Sequence, residues 1–87
     1  MLKKGDIGYY ISSAFGGVKV YGMVENIVND GDRRGNKLYG YFESPPYTGI
    51  EEAMVEINRK KEENKKGWVF EKDFFLFRKA KKNNLIW

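Results

Sequence analysis

Apolar side chains recur at every second position in five short runs of this chain, and at helical spacing in only one. Ile7, Tyr9 and Ile11 alternate with Gly8 and Tyr10, which reads as a first strand with one buried face. Val18, Val20, Gly22 and Val24 alternate with Lys19, Tyr21, Met23 and Glu25, a long second strand running to Val28 with a register shift near Asn26. Leu38, Gly40 and Phe42 alternate with Lys37, Tyr39 and Tyr41 in a third. Trp68 and Phe70 open a fourth, and Phe75 to Arg78 form a fifth after a short turn at Glu71-Lys72-Asp73-Phe74. Asp30-Gly31 and Arg34-Gly35 mark 29–36 as a hairpin loop, because these pairs accept the left-handed backbone of tight turns. Ser44-Pro45-Pro46 stops the third strand, since proline has no N–H to give to a ladder.

The exception is the stripe Ile50, Ala53, Met54 and Ile57, spaced i, i+3, i+4 and i+7. It predicts an amphipathic helix over about 49–65. Thr48 lies three residues before Glu51, the spacing at which each side chain can satisfy an orphan N–H of the first turn. Glu56–Lys60 and Glu62–Lys66 are i,i+4 pairs in the favourable order, and Gly67 is the expected C-terminal stop. The polar face, with Glu52, Glu56, Arg59 and Glu63, mixes both signs, so the helix is expected to lie as a lid with that face in solvent.

A chain of 87 residues supports one modest core. The strand order in sequence, the Gly5-Asp6 opener before Ile7 and the turn between the last two strands together resemble the SH3-like β-barrel superfamily. The resemblance implies an α+β, mostly β fold: a five-stranded barrel over 1–78, with the helix of about 49–65 inserted between strands three and four. Residues 79–87 then form a basic tail with an apolar end. The resemblance transfers no functional residue, because folds of this kind host many unrelated functions.

The chemistry available is narrow. There is no Cys and no His, so a disulfide framework and the commonest soft metal ligands are excluded, and no cofactor or metal is expected. Ser12 and Ser13 have no base beside them in sequence, Glu51 and Glu52 are neighbours that do not share a helix face, and no phosphate-loop or dinucleotide motif occurs. These absences direct the reading away from an enzyme. No run of 18 apolar residues offers a membrane span, and a cytoplasmic site is expected. Codon-biased usage, rich in Lys, Asn, Ile, Phe and Tyr, suits an AT-rich source such as a bacteriophage.

Charge is unevenly placed. Residues 1–77 hold 12 basic and 12 acidic side chains, and Arg78, Lys79, Lys81 and Lys82 supply the whole net charge of +4. Two sets of binding residues follow. Arg33, Arg34, Arg78, Lys79, Lys81 and Lys82, with Tyr39 and Tyr41 as a stacking face, suit RNA or another single-stranded nucleic acid. Phe15, Tyr21, Leu85, Ile86 and Trp87 suit a protein partner, or a second copy of this chain. The neutral body favours the protein partner: a small regulatory or inhibitory module that acts by occupying a host macromolecule, with nucleic-acid binding as the alternative.

Overall fold

The computed structural model describes residues 2–44 and 49–80. Five strands, β1 (Ile7–Ser12), β2 (Val18–Val28), β3 (Lys37–Phe42), β4 (Gly67–Phe70) and β5 (Phe75–Arg78), form one antiparallel sheet in the order β4-β3-β2-β1-β5. One helix, α1 (Ile50–Glu62), lies between β3 and β4 in sequence. Short 3₁₀ turns occupy Ser13–Phe15 and Glu71–Asp73.

The barrel implied by the resemblance does not form. Among the described residues β4 pairs only with β3 and β5 only with β1, so the sheet they form is open, with β4 and β5 at its two edges. Although the Glu71–Asp73 turn links β4 to β5, the two edges are held apart by a cleft of about 490 Å³. Side chains of both edges and of β1, among them Tyr10, Trp68, Val69 and Phe75, line it. The mostly-β composition with one helix stands; the SH3-like closure does not.

Side-chain size explains how the sheet packs. Gly8 faces Gly22 across β1 and β2, and Gly22 faces Phe42 across β2 and β3. These positions share one face with Val20, Val24 and Leu38. A Cβ at Gly22 would stand 2.3 Å from Cδ1 of Phe42. A Cβ at Gly8 would stand 2.3 Å from Cε2 of Phe74 and equally close to the carbonyl oxygen of Phe75. The rings of Phe42 and Phe74 therefore lie directly on bare backbone, 6.2 Å apart and edge to face. Around them Val24, Leu38 and Phe74 form the first core cluster, with Leu2, Ile27 and Val69 against it. On β1 the side chains sharing this face are Tyr10 and Ser12, while Ile11 is exposed.

The other face is half covered. Ala53 and Ile57 of α1 bury Tyr41, with Tyr21, Met23 and Met54 at the margin. The helix is shorter than its sequence period implies. Asn64 takes a positive φ of 57°, and the Lys65 N–H donates to the Lys60 carbonyl at 2.9 Å while the Asn64 N–H donates to Lys61 at 3.1 Å. That left-handed cap ends the helix before Gly67 is reached. Gly49 occupies the N-cap; Thr48, the expected capping partner of Glu51, lies outside the described residues, as do Pro45 and Pro46. A β-bulge between Val24 and Asn26 falls where the alternation breaks.

Asp6 ties the two ends together. Its buried carboxylate accepts the Lys3 N–H at 2.8 Å and the Ala80 N–H at 2.7 Å. Its carbonyl accepts the Val24 N–H at 2.9 Å. The opener thus anchors the exit of β5 beside β1 and β2.

Gly8→Ala is expected to destabilise the fold by roughly 1–3 kcal/mol, because the new methyl meets a backbone carbonyl that cannot yield. Ile57→Ala, which empties the fully buried site under α1, is expected to cost about 2–5 kcal/mol. Urea denaturation of both variants measures these losses.

Candidate binding surface

On the face of β1 and β2 opposite Gly8 and Gly22, two tyrosines stand side by side. Tyr9 and Tyr21 are direct cross-strand partners, and Tyr9 is also paired with Phe75 of β5. The rings follow this register. Phe75 lies 5.5 Å from Tyr9, Tyr9 lies 5.9 Å from Tyr21, and Tyr21 lies 5.5 Å from Phe77. Four rings thus run in an unbroken chain across β5, β1 and β2, beside the area that α1 covers. Phe75 is 50% exposed and Phe77 45%, large values for phenylalanine in a folded sheet.

Cations stand over this chain. Lys19 Nζ is 4.5 Å from the centre of the Tyr9 ring, and the Arg78 guanidinium is 5.7 Å from that of Phe77. Among the described residues no carboxylate forms an ion pair with Lys19, Arg78 or Lys79. Their positive charge is therefore uncancelled at short range.

A second aromatic group sits on β4. Trp68 and Phe70 meet edge to face at 5.1 Å. Lys37 lies over Trp68 at 4.9 Å, and Arg34 and Lys72 lie over Phe70 at 4.8 and 5.9 Å. Here, however, acids offset two of the three cations, Arg34 and Lys37. Asp32 accepts from Arg34 through Nε at 3.1 Å and Nη2 at 2.9 Å, and its carboxyl is held down to about 2, chiefly by that side-chain bond. Asp30 holds Lys37 at 3.0 Å, which lowers the carboxyl and raises the ammonium. In the hairpin loop these two pairs are internally neutral, and Arg33 is left as its exposed cation.

The residues singled out from sequence separate in the structure. Tyr41 is 5% exposed beneath α1 and presents no free ring face. Tyr39 is half-buried beside Trp68. Arg34 is folded back on Asp32, whereas Arg33 is exposed at the loop tip. Arg78 and Lys79 are exposed at the end of the ring chain, and Tyr21 lies within it. Phe15 is exposed and lines a cavity of about 260 Å³ with Tyr10, Phe42 and Trp68. Lys81, Lys82, Leu85, Ile86 and Trp87 lie outside the described residues. Tyr9, Lys19, Phe75 and Phe77 were missed. The register of the Gly8–Gly22 pair is the signal that places Tyr9 beside Tyr21.

No group of His, Cys, Asp or Glu among the described residues is placed to hold a metal ion. No helix among them is long and apolar enough to cross a membrane. Tyr10, in the cleft between the sheet edges, has its hydroxyl pushed above the usual 10.0, first by burial and then by the nearby Glu43 carboxylate. Glu43 is itself buried and accepts the Tyr21 N–H at 2.9 Å. Comparison with protein-family models, with curated proteins and with solved structures finds no match.

Burial disfavours the phenolate, so the folded chain keeps the Tyr10 proton to higher pH than the unfolded chain does. That contribution to stability is whole below the ordinary value and is lost as pH rises through the folded one. A spectrophotometric titration of tyrosine is expected to show a late component that Tyr10→Phe removes.

Proposed function

We propose that this chain is a non-catalytic binding module that holds single-stranded nucleic acid on the four-ring face of β2, β1 and β5. The supporting observation is the conjunction on that face of stacking surface and uncancelled positive charge. Phe75 and Phe77 are half exposed, and Lys19 over Tyr9 and Arg78 over Phe77 stand without an acidic ion-pair partner among the described residues. Unstacked bases lie on aromatic rings at roughly 1–3 kcal/mol each, whatever their identity. A duplex keeps its base faces inside its own stack, so the surface favours single strands, and RNA supplies most of these as loops and ends.

The charge is modest, and so is the expected salt dependence. Three phosphates met by Lys19, Arg78 and Lys79 give a slope of about −2 in log affinity against log salt. Rings hold the bases and cations hold the backbone.

A second reading rests on the free edge of β5. Phe75, Leu76 and Phe77 are three consecutive half-exposed apolar residues on a strand whose outer side is unpaired among the described residues, a template for strand addition by a protein. On that reading the chain is a small regulatory or inhibitory protein that acts by occupying a protein partner.

Fluorescence anisotropy with a labelled oligouridylate of about six nucleotides separates the two. Nucleic-acid binding predicts saturable affinity at low salt. It further predicts at least a tenfold loss in Tyr9→Ala/Phe75→Ala, and a slope flattened by about 1.4 in Lys19→Gln/Arg78→Gln. No binding at low salt overturns that reading and leaves the β5 edge as the surface to pursue.

A further inference from the structure

The ring chain does not stop at Phe75. That residue also lines the cleft between the two sheet edges, which on its far side carries Trp68 and Phe70. Tyr10, Trp68 and Val69 of this cleft in turn line the smaller cavity of about 260 Å³, which is also lined by Lys60 of α1 and by Lys65 and Lys66 between α1 and β4. Phe75, the cleft, Trp68 and the lysines thus form one continuous surface path.

The character of that path changes along its length. The cleft is largely apolar, with Asp73 on its lining. Trp68 is 45% exposed, the largest ring on the path. Beyond it the surface turns basic. Lys65 is paired with Glu63 at 3.1 Å, but Lys60 and Lys66 form no ion pair among the described residues. Glu43, the acid of the small cavity, is buried and accepts a backbone N–H. A polymer with alternating flat apolar and anionic parts fits this sequence of surfaces, whereas an apolar peptide leaves the lysines unused.

We infer that the nucleic-acid site continues from the four-ring face across the open edge of the sheet, with Trp68 as a second stacking anchor and Lys60 and Lys66 as its phosphate contacts. The inference rests on the binding reading above and adds the course of the strand. It also gives the open sheet a use: closing the gap between β4 and β5 would remove the passage to Trp68.

The test compares labelled oligouridylates of about four and about ten nucleotides, a range that spans short and long single-strand sites. The longer strand is expected to bind at least tenfold more tightly. Trp68→Ala is expected to remove about tenfold from the long strand and to leave the short one unchanged. Lys60→Gln/Lys66→Gln is expected to flatten the salt slope by about 1.4 for the long strand alone. Lys60 lies on the last turn of α1 and Lys66 is exposed just before β4, so this variant carries the test if Trp68→Ala does not fold. Equal affinity for both lengths overturns the extension and leaves the four-ring site intact, as does a long-strand affinity and slope unmoved by these changes; the latter is also the result if the cleft takes a protein segment. Absence of binding by either strand overturns the underlying reading together with the extension.

Discussion

Two aromatic rings resting on bare backbone organise this protein. Phe42 lies against Gly22, and Phe74 lies against Gly8, with no space for a Cβ at either glycine. Glycine loses much conformational freedom on folding, so paired glycines in mid-strand weaken a sheet unless something large fills the hollow they leave. The rings fill it and join Val24 and Leu38 in one cluster. Because the strands alternate, small residues on this face leave Tyr9 and Tyr21 to project from the other. The packing of the core and the display of the binding surface are two results of one alternation.

Electrostatics then separates surfaces that look alike in composition. Both ring groups carry cations, but around Trp68 and Phe70 the loop acids Asp30 and Asp32 hold Lys37 and Arg34 in pairs. Each pair joins an exposed partner to a half-buried one at the surface, where an ion pair adds little to stability; their effect is to cancel local charge. Over Tyr9 and Phe77 nothing described does so. The Asp6 clasp sustains this second arrangement, since its bond to the Ala80 N–H fixes the end of β5 and with it the position of Arg78. A residue with no contact to the candidate ligand thereby helps to set the geometry of the site.

Period-2 alternation made the five strands legible, and the break near Asn26 marked the bulge. The stripe from Ile50 to Ile57 marked the helix, although Asn64 ended it sooner than Gly67 would have, because asparagine also tolerates the left-handed backbone. Closure was not legible. Whether β4 and β5 pair depends on the coiling of the whole sheet, which is not a local property. The site was legible in kind but not in place. Tyr39 and Tyr41 share a face as their spacing implies, yet α1 settles over Tyr41. The first strand was legible in part: Ile7 is buried as the alternation implies, but Ile11 is exposed, and the opposite side also packs on the core because Gly8 admits the Phe74 ring.

The most direct test of the account is an NMR titration of the protein with a short single-stranded oligonucleotide, following aromatic side-chain and backbone resonances together. Base stacking on the exposed sheet face predicts upfield ring-current shifts at Phe75 and Phe77, with backbone changes at Tyr9, Lys19, Tyr21 and Arg78. Shifts confined to the 29–36 loop or to α1, or no shifts at low salt, would contradict it.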